Sequence, residues 1–280
     1  MKISKKELSL FCIFIAILFI DGLSILKDKY QKSDYEIFLS SPSKLSINQD
    51  GNIDNSLYVY KEKILLSENK ILAFYNKKEK GVGFCIKSKK GNNKVNIIKL
   101  GVDKQYHIAN SFLEGYAPFE TKKLWVPLYT IGRKLTYQYD HITHIGYKEI
   151  WYTSSQAFKY ARGDCEDHAI ALADWLMTMG EDARVVLGYY KETGHAWVIL
   201  FKNGKEYILE ATQKRSLKSP YKEAKYLPHY KPKYMFNYYE FWENTGFYHT
   251  TNYSSNKWIK KSKYIRNSMN KTNIIEDLKI

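Results

Sequence analysis

Cysteine is scarce in this sequence: there are three, Cys12, Cys85 and Cys165, in 280 residues. None stands at C-x-x-C spacing from another, which excludes a disulfide framework and a structural zinc site of the usual kind. Cys85, in the strand-like segment Gly81–Ser88, reads as a small buried hydrophobe. Compact arginine-rich helices and nucleic-acid fold signatures are also missing. Lys and Arg nevertheless exceed Asp and Glu, 44 to 29, for a net charge of +15. That excess would suit an anionic lipid or an acidic wall polymer. Spread thinly and mostly as lysine, it reads first as a solvated surface, with no nucleic-acid partner expected.

Long apolar runs are absent after the first 26 residues. Leu8 to Ile20 is almost wholly apolar behind Lys2, Lys5 and Lys6, Asp21 interrupts, and the stretch ends at Leu26. A basic start and a short apolar core fit a signal peptide, and the length just suffices for a membrane anchor. Positive charge gathers before the run and is balanced after it. The remainder is therefore expected on the extracytoplasmic side, membrane-anchored or secreted.

What is present is a chain that should fold, 44% hydrophobic and 16% aromatic. Four regions are expected: a signal peptide or anchor over 1–28, a β-rich accessory segment over 29–115, a core domain over 116–240, and an aromatic, basic extension over 241–280 with a frayed end beyond about Arg266. In the accessory segment, strand-like runs fall at Ser56–Val59, Ile71–Tyr75, Gly83–Ile86 and Val95–Leu100. Asp50–Gly51–Asn52, Asn76–Lys77–Lys78 and Gly91–Asn92–Asn93 look like the turns between them.

From Leu124 the period changes. Trp125, Leu128, Ile131 and Leu135 recur at helical spacing, and Ser154 to Ala161 suits a short helix. A longer amphipathic helix opens at Gly163-Asp-Cys-Glu-Asp-His168 and stops at Gly180. Three strand-like runs follow, Ala183–Tyr190, His195–Phe201 and Glu206–Thr212, the last two joined by the hairpin signal Asn203–Gly204. Helices followed by a meander predict an α+β domain, a cysteine at a helix N-terminus packed on an antiparallel sheet. The aromatic run Tyr234–Tyr239 reads as packing of the extension against its domain rather than as a binding face.

Cys165 would be the first helical residue, with Asp164 as N-cap. Free N–H groups and the positive end of the helix dipole favour a thiolate there and can hold an oxyanion. Asp164, Glu166 and Asp167 suit the dipole but oppose a thiolate, so a compensating charge is needed. An imidazolium is the simplest; a calcium ion, which prefers carboxylate oxygens, is the other candidate, with Asp164 and Glu166 as its ligands. If Asn203–Gly204 is a two-residue loop, Lys202 pairs with Lys205. His195 and Glu210 then share a face as diagonal neighbours roughly 7–8 Å apart at Cα. A carboxylate so placed can fix the imidazole tautomer while the other ring nitrogen faces the thiol.

Gly163-Asp-Cys-Glu-Asp-His-Ala169, Ala183-Arg-Val-Val-Leu-Gly188, Gly194-His-Ala-Trp-Val198 and Tyr207-Ile-Leu-Glu-Ala-Thr212 resemble successive blocks of the transglutaminase-like superfamily. Ile150-Trp-Tyr-Thr-Ser-Ser155 is similar to the lead-in of its bacterial cysteine peptidases. The resemblance implies a papain-like, transglutaminase-core fold with Cys165 as nucleophile, His195 as base and Glu210 as orienting acid, where the family usually has Asp. It also implies Trp151 as an oxyanion or pocket residue, and calcium at Asp164 and Glu166 as in the calcium-dependent members; the sequence itself requires no cofactor. The activity implied is acyl transfer on a protein or peptide amide, most simply hydrolysis, with an envelope-associated substrate. A crosslinking transglutaminase and a non-catalytic binding module at the envelope are the alternatives.

Overall fold

A computed structural model describes residues 34–37, 54–76, 83–88, 91–214, 221–247 and 249–266. The apolar N-terminal run and the stretch after Arg266 lie outside the described residues, as does the side chain of Cys85. Among the described residues no helix is long and apolar enough to cross a membrane.

The strands are β1 (Asp34–Ile37), β2 (Ser56–Val59), β3 (Ile64–Ser67), β4 (Gly83–Ser88), β5 (Gly91–Asn96), β6 (Ile98–Leu100), β7 (Tyr106–Ile108), β8 (Thr136–Tyr137), β9 (Arg162–Gly163), β10 (Asp182–Tyr190), β11 (Thr193–Lys202), β12 (Lys205–Leu209), β13 (Lys222–Glu223), β14 (Tyr230–Phe236), β15 (Glu240–Asn244) and β16 (Trp258–Ile265). The helices are α1 (Glu68–Asn76), α2 (Trp125–Lys134), α3 (Asp140–Thr143), α4 (Ser154–Tyr160) and α5 (Cys165–Thr178). Nine strands form one antiparallel sheet in the order β13-β12-β11-β10-β14-β15-β16-β2-β3. This is an α+β fold with α5 laid on the sheet. The early strands β2 and β3 join that sheet's far end by pairing β2 with β16.

Two local expectations fail. Ile71–Tyr75 is not a strand but lies inside α1. Ile71 and Tyr75, four residues apart, fall on one helical face and are both buried at 1% exposure, a spacing that a five-residue apolar run does not reveal. Gly91–Asn92–Asn93 is not a turn; it begins β5, paired with β4.

The β10–β11 hairpin is buried on both faces, which is why Ala196 to Leu200 is apolar without alternation. Val185, Ala196, Val198 and Leu200 pack under α5 with Ala169, Leu172 and Leu176. Val186, Trp197 and Ile199 pack on the other side with Tyr230, Trp242, Tyr253 and Trp258. Within the run Tyr234–Tyr239, Tyr234, Met235 and Phe236 are buried, while Tyr239 is 41% exposed.

Asp174, fully buried in α5, fixes the helix lengthwise. It accepts the backbone N–H groups of Glu114, Gly115 and Tyr116 and the hydroxyls of Ser154 and Tyr238. Five donors on one carboxylate offset the cost of burying it.

Candidate active site

Cys165 opens α5 directly after an extended Asp164 (φ −101°, ψ −151°), at the helix start the sequence predicts. Asp167 reaches back to the N–H of Asp164 (3.2 Å) and also accepts that of Tyr152 (2.8 Å). Gly163 is required by this closure, because a Cβ there would run into the Asp167 carboxylate. The α5 N-terminus is thereby pinned to the segment before α4 and, through the β8–β9 pairing, to Tyr137.

The Asn203–Gly204 turn has two residues, and Lys202 pairs with Lys205. Both turn residues have positive φ, 52° and 70°, the backbone that Asn-Gly accommodates. Pairing of β11 with β12 ends at Val198–Leu209, and beyond it the chains part. Across that opening His195 Nε2 meets Glu210 Oε2 at 2.7 Å. Ala196, next in the chain after His195, directs its backbone N–H at the Cys165 sulfur. The hairpin therefore brings the backbone of the residue after His195 up to the Cys165 thiol.

Glu210 is 1% exposed and fully engaged. Its Oε1 accepts the hydroxyl (2.7 Å) and N–H (3.2 Å) of Thr212; its Oε2 accepts the phenol of Tyr230 at 3.0 Å besides the imidazole. Burial pushes its carboxyl up, but the hydrogen bonds and charge of His195 and the Thr212 donors outweigh burial and hold it below the ordinary value. The extra methylene relative to Asp is accommodated by this four-point hold. Trp197 stacks near His195 at 6.1 Å, and the rings of Tyr190 and Tyr230 lie 6.0 and 6.3 Å from it. Tyr230 and Tyr190 were not visible from sequence as parts of this site. Their only trace there was aromatic density.

The Cys165 side is built differently. The Cys165 thiol donates to Glu166 Oε2 at 3.4 Å. Burial and then the charge of Asp164 push it up to about 12, against the pull of the Ala196 N–H. Asp164, Glu166 and Asp167 are joined by Asp140, from α3, and Glu149. Ligand atoms lie within 4.8 Å of one another in three sets, Asp164–Cys165–Glu166, Asp140–Asp164–Asp167 and Asp140–Glu149–Glu166. Burial and mutual repulsion raise Asp140 to about 7 and raise Asp164, Glu166 and Asp167 as well. Glu149 alone is held low, because Lys99 at 2.7 Å outweighs its desolvation. Asp164 Oδ1 and Glu166 Oε1 are buried with no hydrogen-bond partner. A carboxylate-rich cluster with two orphaned oxygens beside the thiol fits a hard divalent cation such as calcium.

Trp151, the oxyanion or pocket residue of the resemblance, is packed in the interior. Its ring is 1% exposed, packed on Phe112 and Phe236, and its N–H is committed to Glu149 Oε1 (3.0 Å). It supports the acid cluster and has no donor left for an oxyanion.

Residues 149–264 match the family model of the CEP76 peptidase-like domain. That span contains Glu149, Cys165, His195, Glu210 and Tyr230. No curated protein matches. Among solved structures, LapG of Legionella pneumophila is similar at 22% identity and a TM-score of 0.35, over 44% of this chain and 69% of that one. Its calcium-bound form gives 22% and 0.36 over 50% and 78%. The EGTA-treated form gives 19% and 0.37 over 57% and 82%. Likeness at these scores decides nothing about the chemistry, and the site stands on its own geometry.

Proposed function

We propose that this chain is a cysteine peptidase of transglutaminase-like, papain-type design, with Cys165 as nucleophile, His195 as general base and Glu210 as the orienting acid. The observation that carries the reading is the His195–Glu210 pair at 2.7 Å, on the residue next to the N–H that meets Cys165. Glu210 on Nε2 leaves Nδ1 for the thiol. His195 takes the Cys165 proton, and the thiolate attacks the carbonyl carbon of a peptide amide. The imidazolium returns the proton to the departing amine as the acyl-enzyme forms. Water, deprotonated by His195, then releases the acid and restores the thiol. Backbone N–H groups at the start of α5 are placed to stabilise the tetrahedral oxyanion.

Calcium belongs to the same reading. Asp164 and Glu166, with Asp140 and Glu149, would hold it, and its charge would offset the repulsion those carboxylates exert on a thiolate. Glu166, drawn to a cation, would also release the thiol proton to His195. The protein acts on a protein or peptide at the cell envelope, anchored or secreted through its apolar N-terminal run.

A second reading, a peptidase-like module that binds without cleaving, is favoured by one observation, the partly buried Cys165 thiol donating to Glu166. Iodoacetamide separates the two. With calcium, Cys165 should be labelled far faster than Cys85, and the rate should fall in His195→Ala. Equal, slow labelling of both cysteines, with and without calcium, would sink the peptidase. A peptide library incubated with and without chelator identifies the bond cut.

A further inference from the structure

A cavity of about 360 Å³ opens beside the candidate active site, lined by Tyr189, Lys191, Glu192, Lys231, Lys233 and Asn244 together with Pro232. Its position follows from strand register. His195 pairs with Gly188 and Gly194 with Tyr189 on β10; Tyr189 in turn pairs with Lys231 on β14. Neighbouring strands lie about 4.8 Å apart, so two strand spacings put the cavity roughly 10 Å from His195, about three residues of extended chain. Tyr189 alternates with Leu187 and Val185, which face α5, so the cavity is on the sheet face where Cys165 sits.

The way between is bare. A Cβ at Gly194 would meet nothing within 4 Å, and Lys191 to Gly194 are all exposed. Gly188 is the reverse: a Cβ there would collide with the Lys231 carbonyl and crowd Trp197 and Pro232. That close approach accompanies the register shift between Leu187 and Gly188, where Lys233 is skipped in the pairing. The bulge leaves Lys231 and Lys233 both at the cavity wall.

Lys191, Lys231 and Lys233 line the cavity with one carboxylate, the Lys191 and Lys233 ammonium groups lying 5.7 and 5.4 Å from the ring centroids of Tyr190 and Tyr234. That carboxylate, Glu192, pairs with Lys231 at 2.6 Å but is 90% exposed, an ion pair of the kind that solvent and competing anions loosen. Asn244 and the Tyr189 phenol add neutral hydrogen-bonding groups. A cavity of this size takes one or two side chains, and a chain of net charge +15 draws acidic polypeptides toward it.

We propose that this cavity is a substrate subsite for an acidic side chain, Asp or Glu, about three residues from the amide that Cys165 attacks. It rests on the peptidase reading for its role in cleavage, though not for binding. The substrate class it names is an acidic peptide segment.

Binding is measured first, by fluorescence anisotropy of fluorescein-labelled hexaglutamate against the full chain carrying Cys165→Ala, so that nothing is cleaved. Lys191→Glu/Lys231→Glu is compared with Lys122→Glu/Lys123→Glu, which makes the same charge change outside the cavity. The cavity pair should weaken binding at least tenfold and the remote pair less than threefold. Equal losses overturn the subsite and leave only a general field. If the reversal at Lys231 disturbs folding, Lys191→Gln/Lys233→Gln, at two exposed positions, should still cost threefold or more, and no loss overturns the proposal. In the active chain, Glu is then walked along a cleaved peptide. kcat/KM should peak with Glu about three residues from the scissile bond, and the peak should vanish in the cavity variant while iodoacetamide labelling of Cys165 is unchanged. A flat profile overturns the subsite. Failure of the peptidase reading looks different: no peptide is cut, yet hexaglutamate still binds and the cavity variant still loses it.

Discussion

The two halves of the candidate site are opposites in how their charges are settled. Around His195, every polar atom of Glu210 is engaged, its carboxyl is held low, and aromatic rings enclose the imidazole. Around Cys165, five carboxylates crowd together, several are pushed up by burial and repulsion, and two buried oxygens have no donor. The His195 side is preorganised as it stands; the Cys165 side carries an excess of carboxylates that, on the proposed reading, an added positive charge would settle. Preorganisation lowers the cost of reaching a transition state, whereas an unsettled cluster makes activity depend on something that binds. The difference predicts which perturbations are absolute and which are conditional.

The largest effects strike either half regardless of metal. Cys165→Ala and His195→Ala should each reduce peptide hydrolysis by about a thousandfold or more, since residues that act as a unit fail together. Retention of more than about a tenth of the activity in either would break the triad. Next comes the conditional half. Chelation, or Asp164→Asn/Glu166→Gln, should slow iodoacetamide labelling of Cys165 by about 10–100-fold, and calcium should rescue only the unaltered chain. Labelling indifferent to calcium would make the two halves alike after all. Tyr230→Phe tests the settled half more gently. Loss of one hydrogen bond to a charged acceptor should lower kcat about tenfold with KM steady, because Glu210 keeps its Thr212 contacts. A change in KM alone would mean that Tyr230 touches substrate instead.

Much of the settled half could be read from the chain because its determinants are local. A two-residue Asn-Gly turn fixes the pairing of β11 with β12 as far as Val198–Leu209, and His195 and Glu210 meet just beyond its end. The start of α5 is likewise local, written in Gly163, Asp164 and Asp167. Tyr230 escaped that reading because it arrives from the far side of β10 by a pairing no short pattern encodes. Asp140 and Glu149 escaped for the same reason: a one-turn helix and an irregular segment carry them to Cys165. Ile71–Tyr75 was misread because five apolar residues fit either period, and only packing chooses. The C-terminal aromatics were legible as core but not as neighbours of the imidazole. Sequence shows which residues carry chemistry and hides which distant ones hold them.

The smallest effect expected is on stability, and its sign is the sharpest test of the unsettled half. Asp140 is raised from 3.8 to about 7 by burial and by the charge of Asp164. Between those values the folded chain keeps a proton that the unfolded chain has released. The unfolded state then binds fewer protons, so stability must fall as pH rises from about 4 to about 7. For a single group the slope is at most about 1.4 kcal/mol per pH unit, or a few degrees in Tm for a domain of this size. Glu210, held low, works the other way and only below about pH 4.5, outside this window. In EDTA, Tm should therefore decline from pH 5 to pH 7, and Asp140→Asn should flatten the decline. With calcium the slope should invert, because only the deprotonated cluster binds the ion and binding strengthens as protons leave. A Tm that rises with pH in EDTA, or a slope untouched by Asp140→Asn, would show that these carboxylates are settled without a cation, and the contrast between the two halves would fall.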